Sequence, residues 1–185
     1  MRILSKTKQS GLTLVETMFA VAIVAVLAGF ASGSVSAAIH ASRASNGLAS
    51  FVATITRARS SAATAGVEVV LCPSDDGSAC SSGDHWENGW IAFAAMHGGT
   101  NVREAGDPIL LRQGALQAKV HLTSTSGRTR IRFQPSGGNV GSNATFTLCD
   151  GRGARAAQAY AMSNAGNLHA TVPDPANVAE ACAGL

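Results

Sequence analysis

The chain has 185 residues, room for one domain of ordinary size and an appendage. Its formal charge of +3 is the charge of Arg2, Lys6 and Lys8; past residue 11 there remain 11 basic and 11 acidic residues, so the basic overall balance says nothing about nucleic acid. Aromatic residues are only 5% of the chain, which leaves the core to Val, Ile, Leu and Ala.

The first predicted element is a long apolar helix. "GLTLVETMFAVAIVAVLAGF", Gly11 to Phe30, is apolar or small after Leu12 except for Thr13, Thr17 and Glu16. From Leu12 to Phe30 a helix spans about 28 Å, close to the hydrocarbon thickness of a bilayer. Basic residues before it and none just after it put the N-terminus in the cytoplasm. An ordinary secretory signal, cut near "SVSAA", fits less well, because the apolar run is long for an h-region and contains an acid. That acid is costly: an ionisable group at the middle of a bilayer costs roughly 2.5–3.5 kcal/mol on insertion scales.

The order of basic leader, Gly11, apolar residue, Thr13, two aliphatics, Glu16 and long apolar helix resembles the class III signal of type IV pilins and type II secretion pseudopilins. The resemblance implies cleavage by the prepilin peptidase between Gly11 and Leu12, and N-methylation of Leu12. Glu16 then becomes the fifth residue of the mature chain. Many relatives carry Phe at the place of Leu12. Cutting creates a cationic amine at the start of a helix that packs among other helices. A carboxylate one turn away on a neighbouring subunit neutralises it and fixes register, because an unpaired charge in low dielectric is heavily penalised. Glu16 is therefore expected to be an assembly residue.

The helical pattern continues through Leu48, Phe51, Val52, Ile55, Ala58 and Ala62, with Arg43, Asn46, Arg57 and Arg59 off the stripe. Gly66 is a stop signal, so one helix is predicted from about Thr13 to Ala65. The expected division is a cleaved leader at 1–11, a transmembrane and filament-core helix at 12–38, and a periplasmic domain at 39–185.

Beyond Gly66 the period becomes two. "VEVVLC", "GWIAFAA", "PILLRQ", "AKVHLTS", "TRIRFQP", "ATFTLCD" and "AQAYAMS" read as seven short strands separated by turn residues. They predict an antiparallel meander forming one sheet on one helix, an α+β fold, with "TVPDPANVAEACAGL" as an irregular tail. Cys72, Cys80, Cys149 and Cys182 allow three pairings. Proximity favours Cys72–Cys80 around "CPSDDGSAC" and Cys149–Cys182 to hold the tail. No C-x-x-C supports zinc.

"VVLCPS", "WENGWIAF", "ILLRQ", "IRFQPSG" and "FTLCDGRG" resemble the ectodomain of the GspH/FimT class of minor pilins and pseudopilins. With the leader, the resemblance covers Gly11 to about Ala170. It implies the type IV pilin-like fold and, as partners, other minor and major pilins or pseudopilins. It also implies a place in the bacterial inner membrane before assembly into a pilus or pseudopilus.

No hydrolase, zincin, Walker or Rossmann motif is present, so no enzyme and no cofactor is predicted. Trp86 and Trp90 read as packing residues. Charge is uneven: residues 67–102 hold five acids and no Lys or Arg, whereas 103–155 hold eight bases and three acids. Within the latter, Arg128, Arg130 and Arg132 alternate, which on a strand puts them on one face, with Arg152 and Arg155 following. These five are candidate contacts for DNA, a lesser candidate partner. Some members of the resembled class bind DNA through a Gly-Arg-x-Arg loop; the matching place here reads Gly166, Asn167, Leu168, His169, with both arginines missing.

Overall fold

A computed structural model describes residues 11–98, 101–139, 141 and 143–185; the leader residues Arg2, Lys6 and Lys8 lie outside these. The chain divides into two compact units between Ala38 and Ile39. Helix α1, Leu14–Ala65, contributes to both. In the first unit its described apolar side chains, among them Leu14, Phe19, Ile23 and Leu27, are exposed. The helix is long and apolar enough there to cross a membrane.

In the second unit α1 ends where expected. Gly66 takes φ +68 and its N–H returns to the Ala62 carbonyl, the left-handed cap that a residue without Cβ adopts at no steric cost. Among the described residues eight strands follow: β1 (Glu68–Pro73), β2 (Trp90–Ala95), β3 (Ile109–Gln113), β4 (Val120–Ser124), β5 (Ile131–Phe133), β6 (Thr145–Asp150), β7 (Gln158–Met162) and β8 (Leu168–Thr171). The fold is α+β, with a long N-terminal helix on antiparallel strands.

Two features depart from the sequence reading. The strands form two sheets, ordered β3-β2-β1-β5 and β4-β6-β7-β8, rather than one. β4 leaves to open the second sheet, and β5 returns to pair with β1, Val69 opposite Phe133. Alternation marks a strand but not its partner, so this non-local exchange leaves no local pattern. The expected irregular tail instead contains helix α2, Pro175–Ala181, and just before it β8 adds a strand beyond the seven predicted runs. Asp174 caps α2 by accepting from the N–H groups of Ala176 and Asn177, and Pro175 occupies the first turn, where no N–H is needed.

Both faces of β1 are covered. Val69 and Leu71 join the main core with Phe51, Ile55, Ala58 and Ala62 of α1 and Leu122, Phe146 and Leu148 of the second sheet. Val70 and Cys72 face the opposite way, into a smaller cluster with Ile91 and Phe93. Cys80 packs on that cluster and is bonded to Cys72, so the disulfide loop is its lid. Phe51 is the pivot of the main core, with edge-on contacts to Trp86, Trp90 and Phe146 at centroid distances of 5.4, 5.3 and 4.8 Å. Both indoles are fully buried and hydrogen-bonded, Trp86 to Ser124 and Trp90 to Thr54. Val52, read as part of the core stripe, is 40% exposed; the buried face is narrower and centres on Phe51 and Ile55.

Candidate functional site

Two places carry the candidate functional residues: the start of α1 and a cluster of arginines beside β5. At the start of α1, Thr13 Oγ1 accepts from the Glu16 N–H at 3.2 Å, and the Thr13 carbonyl accepts from the Thr17 N–H. Thr13 thus caps the helix, and Thr-x-x-Glu is the spacing of a capping box, a signal that the sequence reading passed over. A carboxylate in the first turn also complements the positive end of the helix dipole. The Glu16 side chain is exposed, and among the described residues it makes no ion pair. Gly11 and Leu12 lie just outside the helix, both exposed.

Arg128, Arg130 and Arg132 do come together, but not as a strand row. β5 is only Ile131–Phe133, because a turn precedes it: Gly127 has φ +76 and the Arg128 N–H bonds to the Thr125 carbonyl. The three guanidiniums instead line one polar hollow of about 270 Å³, together with Asn101, Gly127 and Gly141. Arg132 pairs with Glu68 across the β1–β5 ladder at 2.5 Å. Arg130 is half-buried; its Nε donates to the Asn101 carbonyl and its Nη1 to the Thr129 carbonyl. Burial pushes its guanidinium down from its ordinary value. Arg128 is exposed and its Nη1 reaches the Gly141 carbonyl at 3.4 Å.

The loop that carries Asn101 is stapled by Asp107. This carboxylate is 1% exposed and accepts from the N–H groups of Met96 and Glu104, which hold its pKa below the usual carboxylate range. Arg103 closes the same turn on the Asp107 carbonyl.

Arg152 and Arg155 belong elsewhere. Arg152 forms a bidentate pair with the buried Asp150, and Arg155 lies in the short 3-10 turn Ala154–Ala156. β6 separates them from the hollow: Thr145 is bonded to Thr125 near Arg128, whereas Asp150 is at the other end, about 17 Å along a six-residue strand. The five arginines therefore fall into two clusters rather than one row. Gly166 and Asn167 belong to the turn between β7 and β8, whereas Leu168 and His169 open β8 and pair with Met162 and Ala161. Asn167 there accepts from Arg59 Nη1 of α1 at 2.9 Å, beside a groove of about 450 Å³ lined by Val52, Tyr160 and Leu168.

Cys149 and Cys182 are bonded with Cα atoms 5.4 Å apart, and Cys72 and Cys80 with Cα atoms 5.6 Å apart. The first ties α2 to β6, and the His121 ring bonds to the Ala181 carbonyl beside it. The acids of the other loop are exposed but bonded within it: Asp75 accepts from Ser81 Oγ, and Asp76 accepts from Ser78 Oγ and from the N–H groups of Ser78 and Ala79, which hold it well below the usual carboxylate range. Among the described residues, no group of His, Cys, Asp and Glu has a metal-binding arrangement.

Two family models match the chain: the type II transport protein GspH over residues 48–166, and the prokaryotic N-terminal methylation motif over residues 6–32. Among curated proteins, none matches in sequence. The fold is similar to that of the type IV minor pilin FimU of Pseudomonas aeruginosa (strain PAO1), solved in two crystal forms. Both give 17% identity and a TM-score of 0.51, covering 71% of this chain and 91% or 87% of that one.

Proposed function

We propose, from the premise that the chain belongs to the GspH family of minor pilins and pseudopilins, that it is a structural subunit inserted through its N-terminal helix into a filament. That filament is a type IV pilus or the pseudopilus of type II secretion. The observation that carries the reading is a capped helix whose described apolar side chains in the first unit are exposed, with one acid, Glu16, in its first turn. Such a surface is satisfied by lipid before assembly and by other helices after it.

On this reading the prepilin peptidase cuts between Gly11 and Leu12 at the cytoplasmic side of the inner membrane and methylates Leu12. The matched methylation motif supports this step. Glu16 then receives the new amine of a neighbouring pilin or pseudopilin in the filament core, while residues 39–185 face the periplasm or exterior. DNA capture gains no support from the fold, because the arginines divide between two ends of β6 and Asn167 is engaged by Arg59.

Gly11 and Glu16 act at separate steps, which makes the reading testable. Gly11→Leu is expected to leave uncut precursor in the membrane. Glu16→Val is expected to be cut and methylated, yet absent from sheared filaments. Mass spectrometry of the mature N-terminus, with immunoblots of sheared filaments, reads both. A mature, unmethylated chain starting near Ala37 would overturn the reading.

A further inference from the structure

The arginine hollow beside β5 has a charge balance that the chain does not complete. Three guanidiniums line it, and Glu68, paired with Arg132, supplies one negative charge. Two positive charges remain. Among the described residues neither Arg128 nor Arg130 has an ion-pair partner; both meet only carbonyl oxygens. For Arg130 this is expensive. It is half-buried, and a charge taken from water without a counter-charge is penalised more heavily than dipoles of neutral carbonyls repay.

We propose that this hollow is a binding site for a doubly charged oxyanion of the phosphate type. Guanidinium forks match the spacing of phosphate oxygens and form two parallel charge-assisted hydrogen bonds to them. A dianion balances the two unmatched charges, which a single phosphodiester or carboxylate does not. The walls also suit close approach: Gly127 and Gly141 carry no side chain, and among the described residues a Cβ at either would meet nothing within 4 Å. Arg130 is aimed by its bonds to Asn101 and Thr129, and the Asn101 loop is fixed by buried Asp107, so half of the site is arranged before any anion arrives. The ligand is either free phosphate or the terminal phosphate of a larger molecule. This inference does not depend on the filament reading above.

The test is calorimetric titration of the full chain in detergent micelles at about pH 8, where phosphate monoesters are dianionic. The probes are inorganic phosphate, glycerol phosphate and a short DNA duplex. Saturable binding of phosphate is expected, weakened about tenfold or more in Arg128→Gln, whose exposed side chain has no part in the core, and unchanged in the distant Arg112→Gln. Arg128→Gln/Arg130→Gln is expected to abolish it, with circular dichroism confirming the fold. Equal affinity for phosphate and glycerol phosphate assigns the free ion; tighter binding of glycerol phosphate assigns a phosphorylated molecule. Failure of both small anions to bind the folded chain, equal binding by Arg128→Gln, or duplex binding that phosphate does not displace would each overturn the proposal.

Discussion

The two parts of helix α1 are built from the same kinds of residue and meet opposite conditions. From Leu14 to Ala38 the described apolar side chains surround the helix and are exposed within their unit; from Ile39 to Ala65 one face, with Phe51, Ile55, Ala58 and Ala62, is buried, while Ile39 and Val52 lie off it. An amphipathic face is satisfied by its own domain, whereas a helix apolar on all sides needs a membrane or other helices. One element thus holds both the domain's core and the means of leaving the membrane for a filament.

The sharpest way to break this comparison is to truncate one phenylalanine in each part. Phe51→Ala empties the pivot of the aromatic cluster and is expected to cost the domain about 3–5 kcal/mol. Phe19→Ala is expected to leave the domain's unfolding free energy unchanged. Chemical unfolding of the full chain in detergent, followed by circular dichroism, measures both. A comparable loss from Phe19→Ala would mean that the first part also supports the domain.

Next in size is the bond that closes the second sheet over α2. Replacing Cys149 and Cys182 by serine opens a loop with a sequence separation of 33 and is expected to cost about 3.5 kcal/mol on loop entropy. Limited proteolysis should then cut first near Pro173–Pro175. A smaller loss would show that α2 is held by its own packing.

Most of the fold was legible because its cues are local. The heptad-like stripe through Phe51 and Ile55, the stop at Gly66 and the seven alternating runs each record the period of one element. What stayed hidden depends on partners far along the chain. No property of "VHLTS" says that it opens a second sheet, and none of "IRF" says that it returns to β1. The missed α2 is a different case: Asp174 and Pro175 are a local start signal, but Pro173 and Pro175 are equally the marks of an irregular tail. At the candidate sites, the Gly11–Glu16 pattern was readable residue by residue. The arginine hollow was only half readable, since alternation grouped Arg128, Arg130 and Arg132 for the wrong reason. Folding separated them from Arg152 and supplied Asn101 from another loop.

A finer probe of the docked half is Thr54→Val. Thr54 Oγ1 accepts from the buried Trp90 indole at 3.0 Å, so losing it leaves a donor unsatisfied between helix and sheet. The expected cost is about 1–3 kcal/mol, read from the midpoint of denaturant unfolding. Thr17→Val, in the other half, removes only a bond to the Leu14 carbonyl of its own helix and is expected to leave that midpoint in place.

The smallest effect is one of pH. Glu87 bonds to His85 Nδ1 at 2.8 Å and raises its pKa above the ordinary value. The stabilisation is fully present below the unfolded-state pKa, about 6.5, and is lost as pH rises through the higher folded value. With His85 53% exposed the contribution is under about 1 kcal/mol. Thermal melts at several pH values should show a slight decline above about pH 6.5 that His85→Gln removes. An unchanged profile in the variant would place the decline elsewhere.

The aromatic cluster has a spectroscopic consequence. Trp86 and Trp90 are the only tryptophans in the chain, and both lie against Phe51 with no exposure to solvent. Intrinsic emission from this protein therefore reports a single event, the seating of the helix on its sheets. It is silent about residues 11–38, which contain neither tryptophan nor tyrosine. A tryptophan introduced at Phe19 would add a second, separable signal. Insertion into lipid and entry into a filament could then be followed in one cuvette while the domain's own emission stayed constant.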